Sequence, residues 1–131
     1  MNKVAYVIYD SDKKEVYRET NMYTWQDGNI TKVQYEHASQ TITYTDIENN
    51  GIFLNYSELD ILDFMTVPLA LSGYLGVPTK NLPASAVYES DHYNETLTFD
   101  YKFDDKGRVT EVVTTSTSDG DSEVVTETFS Y

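Results

Sequence analysis

Polar and apolar residues alternate in steps of two along much of the chain, the pattern of antiparallel strands with one apolar face and one wet face. The clearest run is Thr96 to Phe103. Leu97, Phe99, Tyr101 and Phe103 fall on one side; Thr96, Thr98, Asp100 and Lys102 fall on the other. Thr and Tyr suit such strands because they pack well on a pleated, half-buried surface. The punctuation between runs is explicit. Asp27-Gly28, Asp104 to Gly107 and Asp119-Gly120 each separate two alternating segments, and Asp-Gly supplies the positive φ that a tight hairpin needs. Asp10 to Lys14 and Asn49 to Gly51 read as two further turns.

These turns expose a weak internal repeat. YTWQDGNITKV (23–33) and YKFDDKGRVTEV (101–112) share a Tyr, an aromatic two residues later, an acidic Gly-bearing turn, and a β-branched–Thr–charged–Val return. VIYDSDKKEV (7–16) is a degenerate third copy. Each copy is one hairpin, which cannot bury its face alone, whereas stacked hairpins can. One stretch breaks the pattern. Ser57 to Asp60 resembles a capping box, Ile61, Leu62, Phe64 and Met65 form a short helical face, and Pro68 can open a second short helix. Gly76 before Pro78 reads as its stop, and Thr79 to Ala84 reads as a loop leading back into the sheet. The expected architecture is a single domain over 1–131, mainly β: an antiparallel meander curved into a half-barrel or porin-like open barrel, with one short helical insertion at about 57–76.

The hairpin copies, the LSGYLGVPTKNLP stretch and the ending Thr-Phe-Ser-Tyr together resemble an uncharacterised bacterial family of unknown function with a porin-like fold (the DUF4595 group), common in gut Bacteroidetes. The likeness runs from about Tyr23 to Tyr131. It implies an antiparallel, barrel-like or half-barrel fold and an exported, often lipoprotein, origin: periplasmic or outer-membrane-associated. It brings no activity and no functional residues. The N-terminal MNKVAYVIYDSDKK shows no apolar core followed by a small-residue cleavage site, and the chain has no lipobox cysteine, so the export signal is not part of this stretch.

Composition narrows the function. With 22 acidic residues against 9 basic ones and a net charge of −13, nucleic acid is excluded as the expected partner, because phosphate contacts need Lys and Arg. Insertion of the domain into a membrane is not expected. The most apolar stretch, 59–77, carries Asp60, Asp63 and Pro68, whereas a spanning helix needs ~20 apolar residues. A membrane β-barrel needs strands of ~9–11 residues and a continuous apolar band, and the runs here look shorter and carry charges in both phases. The absence of cysteine removes disulfides, thiolate zinc sites and Cys nucleophiles.

Catalytic signatures are lacking. No G-x-S-x-G elbow is present, and Ser90-Asp91-His92 is adjacent in sequence, whereas triads assemble in space. The carboxylate pairs, such as Asp10 with Asp12 and Asp104 with Asp105, lie in turns that favour Asp for its backbone hydrogen bonds. His37 and His92 share no metal-ligand spacing, so no metal, cofactor or catalytic residue is assigned. The 12 tyrosines remain. Tyr offers an apolar body and a polar tip, suited to a glycan, peptide or protein surface. Trp25 in the repeat, and Tyr56, Tyr88 and Tyr93 near loops, are the binding candidates. The expected function is a non-catalytic, exported binding or scaffolding domain. A hydrolase with a carboxylate or His site and a small outer-membrane barrel are the alternatives. An exposed edge strand would also offer homodimerisation by sheet extension.

Overall fold

The computed structural model describes residues 2–49 and 79–131. They form one antiparallel sheet of eight strands whose spatial order is their chain order: β1 (Asn2–Tyr9), β2 (Glu15–Gln26), β3 (Asn29–Gln34), β4 (Ala38–Glu48), β5 (Asn81–Ser90), β6 (Asn94–Phe103), β7 (Val109–Ser118) and β8 (Asp121–Thr128). The expected mainly-β meander is what the chain adopts. The helical insertion expected at about 57–76 lies outside the described residues. Among those residues β1 and β8 are the two edges and do not pair with each other, so the sheet is open. No helix among them is long and apolar enough to cross a membrane. Several strands, from 10 to 12 residues long, exceed the lengths read from the sequence. Thr and Ser extend the pairing there without enlarging the apolar runs.

The alternating face of the Thr96–Phe103 run is the buried one. Leu97 and Phe99 join Tyr23, Ile30, Val33, Ile42, Leu82, Ala86, Val109 and Val112 in a single core cluster, with Trp25, Tyr35, Tyr44, Tyr101 and Phe129 packed around it. The sheet curls strongly enough for the β2–β3 turn to reach the start of β5 past the end of β4. Lys80 donates its N–H to the Gly28 carbonyl (2.9 Å). Asn29 and Asn81 exchange two bonds, Asn29 Nδ2 to Asn81 Oδ1 (3.0 Å) and Asn81 N to Asn29 Oδ1 (2.9 Å). This clasp holds β2, β3 and β5 in the curve of a half-barrel. Two tyrosine hydroxyls reinforce it: Tyr44 donates to the Ile30 carbonyl and Tyr101 to the Pro83 carbonyl, each at 2.7 Å. Burial, and secondarily Asp100, push the Tyr101 phenol well above the ordinary tyrosine range, which keeps it a donor.

The internal repeat is real at the level of register. Tyr23 faces Val33, a bulge follows, and Trp25 faces Ile30; Tyr101 faces Val112, a bulge follows, and Phe103 faces Val109. In the degenerate copy the shift again falls just before the turn-flanking aromatic, between Ile8 and Tyr9. Its turn is a replica of another. Asp10 Oδ1 accepts the N–H groups of Asp12 and Lys14, as Asp104 Oδ1 accepts those of Lys106 and Arg108, all at 2.9 Å. One difference from the sequence reading concerns 79–84, expected as a loop. β5 already runs from Asn81, and Pro83 sits inside it opposite Tyr44 where the register shifts. A bulge is one of the few sheet positions that tolerates a residue without an N–H.

The Asp104 turn carries a pH prediction. The N–H of Arg108, its guanidinium and then the N–H of Lys106 hold the Asp104 carboxyl below the usual carboxylate range. A carboxyl depressed in the folded state contributes stability above its unfolded value of about 3.9, and loses it as pH falls through the lower folded value. Wild type should therefore lose more stability between about pH 5 and pH 2 than Asp104→Asn, whose Oδ1 can still accept both N–H groups. Urea midpoints at the two ends of that range check this; parallel losses in the two proteins would refute it.

Candidate functional site

β3 is six residues long and lies between a β2 of twelve and a β4 of eleven. Its ladder with β2 ends at Met22↔Gln34, so the first half of β2 continues alongside β1 only. A notch opens where β3 stops. Its other wall is set by the β4–β5 register, which begins at Ala38↔Ser90. That pairing puts the β3–β4 connection beside the β5–β6 turn. The result is a cleft of about 680 Å³ at one end of the sheet, lined by Tyr17 and Glu19 of β2, Tyr35 to Ala38, Tyr88 and Ser90 of β5, and Asp91 and His92. That volume is in the range of small-molecule sites.

Both connections are fixed by local hydrogen bonds. Tyr35 donates its N–H to the Ala38 carbonyl (2.9 Å), and Gln34 Nε2 reaches the carbonyls of Tyr35 and Ala38 (3.2 and 3.0 Å). In the β5–β6 turn Ser90 Oγ donates to the Tyr93 carbonyl (2.8 Å) and accepts the Tyr93 N–H (3.0 Å). The Ser90-Asp91-His92 run is thus a turn whose serine hydroxyl is occupied by backbone. His37 Nε2 lies 3.6 Å from Glu36 Oε1, both side chains standing well out in solvent. On the opposite wall the Tyr17 hydroxyl donates to Glu19 Oε2 (2.9 Å) and orients that carboxylate.

Three rings form one flank. Tyr35 and Tyr88 have centroids 6.3 Å apart at 52°, and Tyr88 and Tyr93 6.1 Å apart at 51°. Tyr88 thus lines the cleft and Tyr93 packs against it. Trp25 is placed elsewhere: next to the β2–β3 turn, at the end of the sheet away from the cleft, half-buried against the core with its Nε1 unpartnered. Tyr56 lies outside the described residues. Sequence reasoning missed Tyr17 and Tyr35 and treated the two histidines separately. The spacing of 55 residues hides their convergence, which depends on the β4–β5 register and the early end of β3. No group of three or more His, Cys, Asp or Glu among the described residues is placed to hold a metal ion. Among the described residues the side chains whose proton affinity is clearly displaced are Glu15, Arg18, Asp104 and Tyr101, and none of them lines the cleft.

The class of protein this defines is an open antiparallel β meander with a tyrosine-lined cleft at its turn end. Comparison with protein-family models, with curated proteins and with solved structures finds no match.

Proposed function

We propose that the chain is a non-catalytic binding domain whose ligand occupies the cleft at the β3–β4 and β5–β6 turns. The observation that carries this reading is the convergence of Tyr17, Tyr35 and Tyr88 with both histidines around one opening of ligand size. A hydrolase reading receives less support, because Ser90, the one serine among the described residues that line the cleft, is engaged by the turn backbone. The resemblance to exported envelope proteins extends the proposal to an envelope-associated parent protein, with glycans, peptides and proteins as ligand classes.

The test is a thermal-shift screen in the absence of detergent, against divalent cations, glycans, bile acids, peptidoglycan fragments, amines and short peptides. A ligand at ~100-fold over its Kd stabilises by about 2.7 kcal/mol, a shift of several degrees for a domain of this size. At least one compound class should produce such a shift in the wild type and not in Tyr88→Leu. A flat panel over a cooperative melt, or hits indifferent to Tyr88→Leu, would remove the cleft as the binding site.

A further inference from the structure

We propose that the outer edge of β8 takes an extended peptide segment of another protein as a further antiparallel strand, a segment with Lys or Arg at two positions four residues apart and an apolar residue midway between them. The proposal does not involve the cleft. Its first support is the direction of the backbone. The β7–β8 ladder runs from Ser118↔Asp121 to Glu111↔Thr128 without a shift. Just past it Phe129 donates its N–H to the Thr110 carbonyl (2.9 Å). Hydrogen-bonded and non-hydrogen-bonded pairs alternate along an antiparallel ladder, so Asp121, Glu123, Val125 and Glu127 also turn their N–H and C=O towards β7. Ser122, Val124, Thr126 and Thr128 turn theirs the other way, and no strand among the described residues lies there.

The second support is that this edge is not blunted. Edge strands are ordinarily protected by Lys, Pro, a bulge or brevity. β1, the other edge, carries Lys3 and a register shift between Ile8 and Tyr9. β8 keeps unbroken register over its eight residues, and 121–131 contains no Lys, Arg, Pro or Gly. Every side chain of β8 except the half-buried Glu127 is exposed, and Val124 and Val125, one on each face, are 60% and 39% exposed. An added strand covers both valines and pairs the outward N–H and C=O groups, which is how sheets recognise extended peptides.

Register and charge decide the occupant. Val125 and Glu127 pair with the buried Thr114 and Val112 of β7. Asp121, Glu123, Val125 and Glu127 therefore share the inner face, and Ser122, Val124, Thr126 and Thr128 the outer one. A second copy of β8 fits badly. Main-chain bonds can join only outward residues to outward residues, so the full-length register sets Val124 against Thr126, and Glu123 of each copy against Glu127 of the other. Those glutamates would form non-hydrogen-bonded pairs, the closer kind, with Cβ atoms about 4.5–5.5 Å apart, and like charges so placed destabilise a sheet. Sliding one way sets Asp121 against Glu127; sliding the other leaves only 124–128 of β8 paired. A segment with cations opposite Glu123 and Glu127 turns the full-length register from repulsive to attractive, and an apolar residue between the cations meets Val125.

The experiment uses the acetylated and amidated peptide Thr-Lys-Thr-Ile-Val-Lys-Thr, whose lysines come opposite Glu127 and Glu123 and whose isoleucine comes opposite Val125. Calorimetric titration at physiological salt gives affinity, and amide hydrogen exchange gives location. Wild type should bind, with exchange slowed at Ser122, Val124, Thr126 and Thr128 and unchanged at Glu123, Val125 and Glu127, which the β7 ladder already protects. N-methylation of the two residues beside the isoleucine removes N–H groups aimed at β8 and should weaken binding tenfold or more. N-methylation of the isoleucine, whose N–H points away, should weaken it less than threefold. Both comparisons use the wild-type protein, so they do not depend on how a variant folds. Glu123→Gln/Glu127→Gln should weaken binding tenfold or more, against less than twofold for Asp46→Asn/Asp105→Asn, two exposed acids outside β8. No binding, or binding indifferent to the position of the N-methyl groups, would overturn the added strand. Equal losses in the two double variants, or equal binding of a peptide with Glu in place of both Lys, would overturn the basic segment. A dimer of the protein alone in sedimentation, lost in Thr126→Pro, would put a second copy on the edge and overturn the basic segment as its occupant; that substitution removes an N–H that the β7 ladder does not use.

Discussion

Phe99→Ala should lower the unfolding free energy by about 3–5 kcal/mol, the range for removing a buried aromatic from a packed core. Phe99 is 7% exposed and sits in the middle of β6. Leu97 and Tyr101 flank it along the strand on the same face, and Thr114 faces it across the ladder with β7. Loss of the ring removes both transfer free energy and contacts that a sheet backbone, held by the β7 ladder at Phe99 itself and by the β5 ladder up to Thr98, cannot close up to replace. Domains of this kind have only about 5–15 kcal/mol in all, so the variant should unfold at a much lower urea midpoint. Val124→Ala on the edge strand β8 is the comparison. Val124 is 60% exposed, and its loss should change stability by no more than about 0.5 kcal/mol. A cost below about 1.5 kcal/mol at Phe99 would mean that the face assigned to the core is wrong.

That face was readable from the residues alone. Alternation over Thr96–Phe103 assigns sides because the strand period is two, and Leu97 and Phe99 are buried where the pattern puts them. The Asp-Gly turns were readable for a similar reason: only a few residue types accept positive φ. Asp27 (φ 52) with Gly28 (φ 85), and Asp119 (φ 48) with Gly120 (φ 90), adopt it. The repeat was readable too, down to the equivalence of Trp25 and Phe103, although the bulge that precedes each was not. Pro83 misled in the opposite direction. It reads as a loop residue unless the bulge opposite Tyr44 is known, and bulges leave little trace in one sequence.

The cleft was not readable, and the reason is geometric. Its residues come from three separate stretches, 17–19, 35–38 and 88–92, and what joins them is how far β3 runs before it stops. Gln34 to Ala38 contains no Gly or Pro to announce a turn. His37 and His92 therefore looked like two unrelated polar residues in QYEHASQ and ESDHYNE. Tyr88 and Tyr93 were reachable because they flank a turn; Tyr17 and Tyr35 were not, because on sequence they belong to strand patterns. Local chemistry is legible where one strand or one turn decides it. A site made by curvature and register is legible only in the folded sheet.

The same curvature makes Gly28 the most sensitive of the turn glycines among the described residues. Gly28, Gly107 and Gly120 all have positive φ, at 85°, 73° and 90°, so an alanine at any of them bears the cost of placing a Cβ in that region, about 1 kcal/mol. The neighbours differ. A Cβ at Gly107 or Gly120 meets nothing within 4 Å, whereas at Gly28 it meets the Lys80 Cβ at 3.1 Å. Lys80 cannot simply turn aside, because the contact is with the root of its side chain and its backbone is held twice. Its N–H bonds the Gly28 carbonyl, and its own carbonyl accepts from Asn49. Relief must come from opening the clasp, which strains the Asn29–Asn81 pair as well. Gly28→Ala should therefore cost about 2–3 kcal/mol, against about 1 kcal/mol for Gly107→Ala and Gly120→Ala. Urea denaturation of the three variants gives the comparison directly. Amide hydrogen exchange adds the location: protection should drop at Asn49, Lys80 and Asn81 in Gly28→Ala and stay unchanged there in the other two. Equal costs at all three glycines would mean that the β2–β3 turn does not bear on β5, and that the curl of the sheet is held by its ladders alone.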